Sequence, residues 1–255
     1  MNIETFLLEL SNKKEQLDQF RPLPPELVKN LDDWFKIELT YHSNALEGNT
    51  LTKSETALVV EKGLTVAGKS VREHLEAINH AYAIDFIKGL VSKPRSELSL
   101  RDINDIHQLI LKRIDDIHAG TFRKIAVRIS GSDVVLADPL KIPELMDAFM
   151  SWLQTVEGNP VIIAADAHLK LVTIHPYIDG NGRTARLLMN LLLLQTGYPP
   201  AIIKKEDRLM YINALEKAQL TGDVTDFYEV ILKAVLYSLE QYLHAIKKSG
   251  LKKRS

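Results

Sequence analysis

Apolar positions dominate ten stretches of the chain, and short breaks of glycine, proline and charged residues separate these stretches. This arrangement is typical of a protein made mostly of helices. Ser99 before Leu100, with Asp102 in the first turn, and the helix-opening Pro143 support two of the predicted starts. We predict helices at residues 3–20, 25–46, 52–62, 70–89, 100–114, 143–156, 161–174, 182–195, 206–220 and 225–249.

One segment has a different pattern. Two short β-prone runs, at residues 125–129 and 134–136, flank a turn that reads Ser130-Gly131-Ser132-Asp133. Such an arrangement predicts a hairpin. The expected fold class is therefore all-α with one small β-hairpin.

The composition narrows the classes of protein that remain. The 255 residues carry a formal net charge of -1, without the excess of positive charge that nucleic-acid-binding proteins show. The absence of cysteine excludes disulfides, thiolate metal sites and a cysteine nucleophile. No secretory signal and no apolar run long enough to span a bilayer is evident, so we expect a cytoplasmic protein that binds neither nucleic acid nor membranes.

One short stretch combines a possible base, a carboxylate, two glycines and two arginines: His175-Pro176-Tyr177-Ile178-Asp179-Gly180-Asn181-Gly182-Arg183-Thr184-Ala185-Arg186. The apolar run that follows, residues 187–194, has the pattern of a buried helix. The glycines therefore lie at a helix N-terminus, where free N–H groups and the helix dipole attract anions. Arg183 and Arg186 are three apart and share a face of the first turn, so the sequence predicts a site for a polyphosphate.

This stretch resembles the signature His-Pro-Phe-x-(Asp/Glu)-Gly-Asn-Gly-Arg-x-x-Arg of Fic domains, enzymes that mostly transfer AMP from ATP to a hydroxyl group of a protein. Tyr177 stands where the family usually has phenylalanine, and its hydroxyl needs a partner or water. By the order of elements the resemblance covers about residues 40–245. It implies a Fic-type helical bundle that uses ATP and acts on a protein target.

The resemblance also implies roles for individual residues. His175 would be the general base, and Asp179 would ligate Mg²⁺. Arg183 would neutralise charge on the β-phosphate, Arg186 would reach the γ-phosphate, and Tyr211 would lie near the adenine. The predicted nucleotide-binding residues are Asp179, Gly180, Asn181, Gly182, Arg183, Thr184, Arg186 and Tyr211.

An upstream stretch, Ser43-Asn44-Ala45-Leu46-Glu47-Gly48, resembles the inhibitory motif (Ser/Thr)-x-x-x-Glu-(Gly/Asn) of the same family. Ser43 and Glu47 are four apart and share a helical face. The resemblance implies that Glu47 pairs with Arg186. That pair would remove the partner of the γ-phosphate and leave ATP in a pose unsuited to in-line attack.

The predicted hairpin falls where Fic domains carry a flap that holds the target by strand-like pairing. The candidate target-facing residues are Ile129, Ser130, Gly131 and Ser132. A break at residues 92–95 divides the chain into an N-terminal helical regulatory region (1–94), a Fic catalytic core (95–220) and a C-terminal helix with a basic tail (221–255). Self-association as a homodimer is compatible with the resemblance.

Three alternatives remain open from the sequence. The same site could run in reverse, with Glu47 orienting a water that removes AMP from a modified target. A helical metallo-phosphohydrolase could use His168 and His175 with Asp166 and Asp179, a spacing compatible with metal ligation. A binding module with an inactive Fic core is the third.

Overall fold

The computed structural model describes residues 2–253. These residues form ten α-helices and three single turns of 3₁₀-helix. Each predicted helix is present with its ends shifted by at most three residues, and the all-α class is confirmed. The helices are α1 (Ile3–Asp18), α2 (Pro25–Leu46), α3 (Lys53–Lys62), α4 (Val71–Gly89), α5 (Leu100–Leu111), α6 (Ile142–Thr155), α7 (Pro160–Ile174), α8 (Asn181–Gln195), α9 (Arg208–Thr221) and α10 (Thr225–Lys248).

Helix α8 lies at the centre of the bundle. Its buried residues run from Asn181 to Leu193 with Gly182 as the one exception, so nearly its whole circumference is covered. It packs against α7, α5 and α4. Because close-packed interiors resist displacement, the N-terminus of α8 is a firm support for a site.

One hydrophobic core extends from Phe6 in α1 to Ile246 in α10. Helix α1 packs on α10, so the first and last helices of the chain are neighbours in the bundle. The predicted division at residue 94 is therefore not a boundary between separate cores, and the three regions remain a functional prediction. Among residues 2–253, no helix combines the length and apolar character that a bilayer span requires.

The flap, residues 125–136, departs from the predicted hairpin. It contains a turn in which the Ser132 N–H donates to the Ile129 C=O at 3.2 Å, and Gly131 has a φ of 77°. No strand joins the two sides anywhere in residues 2–253. Val135 is 94% exposed, so the β-prone side chains have little to pack against, and an isolated two-stranded pair is only marginally stable.

Candidate active site

The loop between α7 and α8 is shaped by two residues with positive φ. His175 ends α7 with φ 51° and ψ 59°, and Gly180 precedes α8 with φ 78°. A Cβ on Gly180 would lie 3.2 Å from the His107 ring. Both the conformation and the available space therefore require glycine at this position.

Asn181 and Tyr177 hold this loop in shape. The Asn181 side chain accepts a hydrogen bond from the Tyr177 N–H at 3.0 Å and donates one to the Tyr177 C=O at 2.9 Å. The Tyr177 hydroxyl donates to Asn104 Oδ1 at 2.8 Å. Asn104 is therefore the partner that the extra hydroxyl of Tyr177 needs.

His107 of α5 packs against this loop and hydrogen-bonds to it, a role that the sequence did not predict. Its Nδ1 accepts a hydrogen bond from the Gly120 N–H at 2.9 Å, so Nε2 is the donor to the Asp179 C=O at 2.8 Å. Its ring stacks on Tyr177 with 3.6 Å between centroids. One sequence feature could have indicated this role: His107 lies on the apolar face of α5, between Ile103 and Ile110.

His175 lies half-buried, and its ring contacts the backbone of its own helix. Nδ1 lies 3.3 Å from the Val172 C=O, a contact in which the ring nitrogen is the donor. Nε2 then carries the lone pair that a general base needs. Burial and the charge of Arg123 lower the pKa of His175 below its usual value, so the ring is neutral at pH 7.

Four charged side chains form a network beside this loop. The Asp179 carboxylate lies 2.8 Å from Arg72 and 3.3 Å from Arg183. Glu76 lies 3.2 Å from Arg72 and 3.4 Å from Arg183. Burial alone would raise the pKa of Asp179, but Arg183 and the other donors outweigh it, so the pKa is lowered and the group is ionised. Arg72 and Glu76 lie on α4, about a hundred positions away, and no sequence pattern pointed to them.

The N-terminal turn of α8 has unused donors. No side chain caps this helix. Arg183 is 2% exposed, yet its Nε has no hydrogen-bond partner among residues 2–253, and its Nη1 makes only the ion-pair contact of 3.4 Å with Glu76. An uncapped helix N-terminus beside a buried guanidinium with an unpaired Nε–H is suited to an anion.

Arg186 joins the two distant motifs. This residue is 5% exposed. Its Nη2 donates to Glu47 Oε1 at 2.7 Å and to the Ser43 C=O at 3.0 Å, while its Nε donates to Ser43 Oγ at 3.0 Å. The structure therefore brings Ser43, Glu47 and Arg186 together, although 139 positions separate the glutamate from the arginine.

The Glu47 carboxylate lies against the first turn of α8. A Cβ on Gly182 would lie 2.5 Å from Glu47 Oε1, so the carboxylate approaches backbone that only glycine leaves accessible. Burial alone would raise the pKa of Glu47, but the charges of Arg186 and Arg183 outweigh it and lower the pKa. An ionised carboxylate therefore lies where the helix and both arginines attract negative charge.

Most members of the predicted nucleotide set are buried, and two of them contact only other parts of the packed interior. Tyr211 is 1% exposed, and its hydroxyl lies 3.4 Å from Arg186 Nη1 and 2.8 Å from His168 Nε2. Thr184 is fully buried, and its hydroxyl donates to the Gly180 C=O. A nucleotide contact for either residue stays a prediction. The Tyr211 hydroxyl contacts the Arg186 guanidinium, and Thr184 closes the first turn of α8.

The alternative metal site does not form. His168 is fully buried and contacts Tyr211, and the Asp166 carboxylate accepts a hydrogen bond from the Tyr228 hydroxyl at 2.6 Å. The part of the chain that the structure describes has no group of three or more histidine, aspartate or glutamate side chains that could hold a metal ion. The metallo-phosphohydrolase hypothesis therefore loses two of its four ligands.

The buried histidines predict how the free energy of unfolding changes with pH. Burial lowers the pKa of His80 and His168 to about 3 and the pKa of His107 to about 4. In the unfolded chain these histidines have a pKa of about 6.5 and bind protons that the folded state rejects. We therefore expect the free energy of unfolding to fall progressively as the pH drops from about 6.5 towards 4.

Denaturant titrations between about pH 7 and about pH 5 check this expectation, because most carboxylates stay ionised over that interval. The loss of unfolding free energy with falling pH is expected to be smaller in His80→Gln. It should be unchanged in His244→Gln, since His244 is exposed on α10. Stability that does not change over the interval would contradict the expectation.

The fold is that of Fic-domain proteins. A model of the Fic/DOC family matches residues 97–193. The solved structure of Fic-1 from Caenorhabditis elegans has a TM-score of 0.88 and 32% identity, over 97% of this chain and 73% of that chain. The chain belongs to the Fic/DOC family.

Other relatives agree with this assignment. The protein adenylyltransferase Fic of Drosophila grimshawi is 39% identical over 246 residues, which are 95% of this chain and 50% of the relative. A Fic domain containing signaling protein from Bacteroides thetaiotaomicron has a solved structure with a TM-score of 0.83 and 29% identity, over 95% of this chain and 98% of that chain. The chain spans about half the length of the curated relatives it matches.

Proposed function

We propose that this protein transfers AMP from ATP to a serine, threonine or tyrosine hydroxyl of a target protein, and that Glu47 restrains the reaction. The contact of 2.7 Å between Glu47 and Arg186, at an anion-attracting helix N-terminus, carries the proposal. His175, the expected general base, ends the helix that precedes this site. The names of the sequence relatives support the same reaction.

His175 would start the chemistry. The target hydroxyl oxygen attacks the α-phosphorus of ATP and passes its proton to His175 Nε2. A new oxygen–phosphorus bond forms, the bond from the α-phosphorus to its bridging oxygen breaks, and pyrophosphate leaves. Base catalysis of this kind contributes about 10²–10⁴-fold to a rate.

The start of α8 would hold the phosphates. The Gly180 N–H donates to the Asp179 carboxylate at 2.6 Å, so the N–H groups of the first turn of α8, at residues 181–183, would bind phosphate oxygens. Arg183 and Arg186 would neutralise the charge that develops on the departing pyrophosphate. The unpaired Nε–H of buried Arg183 supports this role.

Asp179 fits the expected Mg²⁺. Its carboxylate is ionised, and 45% of its side-chain surface is exposed. Mg²⁺ commonly binds one or two carboxylates together with phosphate oxygens and waters, so a single aspartate beside a phosphate site suffices. When bound, the ion supplies positive charge to the phosphates. Arg72, now 2.8 Å from this carboxylate, would share it or move aside.

Glu47 would restrain the enzyme by occupying the phosphate site. It holds the Arg186 donor that the γ-phosphate needs, and its negative charge repels the triphosphate. ATP that binds beside it is displaced from the in-line position. A displacement of about 1 Å lowers a rate by on the order of a hundredfold, so the wild-type protein should have little activity.

The flap would receive the target. Its tip is held against α9, where Glu216 accepts hydrogen bonds from the Ser132 hydroxyl at 2.6 Å and from the Asp133 N–H at 3.0 Å. Because no ladder joins its two sides among the described residues, the backbone of Ser130 and Gly131, between the turn partners Ile129 and Ser132, would be available for pairing with an extended segment. Main-chain pairing would let different targets align in the same way.

Mass spectrometry of the Glu47→Gly protein, after incubation with ATP and Mg²⁺, tests donor, transferred group and direction together. We expect the mass of AMP to be added to a hydroxyl side chain of this protein or of an added target. A label on the α-phosphate should be transferred, and a label on the γ-phosphate should not. Transfer of the γ-phosphate, or no modification at all, would overturn the proposal.

The ionised state of Glu47 beside two arginines favours a second reaction at the same site, the removal of AMP. A carboxylate in that position could orient a water towards the phosphorus of an AMP-modified side chain. Incubation of such a target with wild-type and Glu47→Gly protein separates the two activities. Loss of AMP with the wild type alone would assign removal.

The homodimer and the cytoplasmic location stay predictions, which sedimentation and cell fractionation test.

A further inference from the structure

Arg123 is a buried arginine between α5 and the flap, and neither the signature nor the inhibitory motif includes it. It is 2% exposed. Its guanidinium donates to three backbone carbonyls: Nε to His175 at 2.8 Å, Nη1 to Ile125 at 3.0 Å and Nη2 to Ala137 at 2.7 Å. Its own N–H donates to the Pro176 C=O at 2.9 Å.

These hydrogen bonds go to uncharged acceptors, which is an unusual environment for a buried positive charge. Burial lowers the pKa of Arg123, opposed by the charge of Asp138. Removing a charge from water is unfavourable unless its donors are satisfied, and an aliphatic side chain would fill the same space without that penalty. The arginine therefore requires an explanation beyond packing.

The positions of the three carbonyls supply that explanation. Ile125 opens the flap, and Ala137 follows its last residue. His175 is the proposed general base. One rigid, planar group therefore fixes the distance between the two ends of the flap and the distance from both ends to the backbone of the base.

His175 also needs this support for conformational reasons. Its φ of 51° lies in the left-handed region, which is unfavourable for any residue with a Cβ. Such a conformation persists only where the surroundings determine it. The hydrogen bond from Arg123 Nε to the His175 C=O acts directly on that backbone.

We propose that Arg123 is a positioning residue that ties the target-holding flap to His175, so that a hydroxyl presented along the flap arrives in line with the base. This role rests on the proposed AMP transfer. The flap would align the target hydroxyl, and His175 would receive the proton of that hydroxyl. A change in the distance between the flap and His175 therefore alters the geometry at the hydroxyl oxygen. Near-attack geometry is sensitive to about 1 Å, which is the scale at which a lost hydrogen bond would displace either end.

The positive charge of Arg123 also favours the role of His175 as a base. It lowers the pKa of His175, whereas Glu47 from the end of α2 and Asp179 from the loop raise it. Arg123 therefore helps to keep the ring neutral and able to accept a proton. Two properties, position and charge, can be separated by substitution.

Arg123→Gln and Arg123→Lys in the Glu47→Gly protein test the proposal. Glutamine removes the charge and most of the donors, whereas lysine keeps the charge but cannot reach three divergent carbonyls. For both variants we expect kcat for transfer to fall by on the order of a hundredfold while the Kd for ATP stays unchanged. Only Arg123→Gln should raise the pKa of His175. Arg101→Gln, an exposed arginine of α5, is the matched control.

Two measurements do not depend on transfer. NMR titration of the His175 ring reports its pKa, and amide hydrogen exchange reports opening at both ends of the flap. Faster exchange at the ends of the flap in both variants, with the rest of the protein unchanged, supports the proposal. Unchanged kcat and unchanged exchange would overturn it, and so would a loss of ATP binding that parallels a loss of global stability.

These measurements also separate this proposal from the proposed function. If the Glu47→Gly protein transfers nothing, AMP transfer is refuted. The titration and the exchange data still decide whether Arg123 couples the flap to His175. If Arg123→Gln does not fold, Arg123→Lys provides the same exchange comparison with the charge retained.

Discussion

Replacing Glu47 by glycine is expected to raise AMP transfer by on the order of a hundredfold. In the structure the Glu47 carboxylate lies 2.7 Å from Arg186 and against the first turn of α8. Its removal frees one arm of the guanidinium and takes a negative charge out of the phosphate site. The triphosphate can then adopt the position from which an incoming hydroxyl attacks in line.

Transfer of label from α-labelled ATP to protein measures this effect. Glu61→Gly is the matched control, because Glu61 is exposed on the neighbouring α3 and the substitution is the same. Glu47→Gln keeps the shape of the side chain without its charge, and we expect an intermediate rate. Equal labelling by wild type and Glu47→Gly would refute the inhibitory role. A similar rise in Glu61→Gly would show that the effect is not local.

Replacing His175 by alanine in the Glu47→Gly protein is expected to lower kcat by about 10²–10⁴-fold. Alanine cannot accept the proton of the target hydroxyl, which is a weak nucleophile while it keeps that proton. The affinity for ATP should change little, because the proposed phosphate contacts come from α8 and its arginines. A separation of kcat from ATP affinity therefore distinguishes a lost base from a damaged site.

Single-turnover rates and calorimetric titration with ATP check this prediction. His244→Ala is the control, since His244 is exposed on α10. In the Glu47→Gly protein with His175 intact, the rate should fall as acid protonates the ring. Because the pKa of His175 is lowered, that loss should begin below about pH 6.5. Full activity of the alanine variant would assign the proton transfer to another group.

The helices could be predicted because their signals are local. Ser99 and Asp102 form a capping box at the predicted start of α5, and the apolar run after Arg186 is the buried α8. The short signature was equally informative. Its glycines, arginines and histidine are close in sequence, so their chemistry could be inferred before any helix was placed.

The incorrect or missing predictions involve contacts between distant residues. The β-prone flap lacks a strand ladder because a two-stranded segment with exposed side chains gains little from pairing. The contacts of the Tyr211 hydroxyl with Arg186 and His168 likewise join residues far apart in the sequence. His107 and Arg123 support the loop through backbone carbonyls and N–H groups, which carry no sequence identity.

The sequence by itself determined the helical class, the positions of the helices and the presence of a Fic signature with a separate glutamate motif. These properties depend on side-chain periodicity and on spacing within a few turns. Only the tertiary structure decided that Tyr177 meets Asn104 and that Arg123 meets both ends of the flap and His175. Contacts of that kind form only when the whole core packs. Their energies depend on burial, which the tertiary structure produces and a short segment alone does not have.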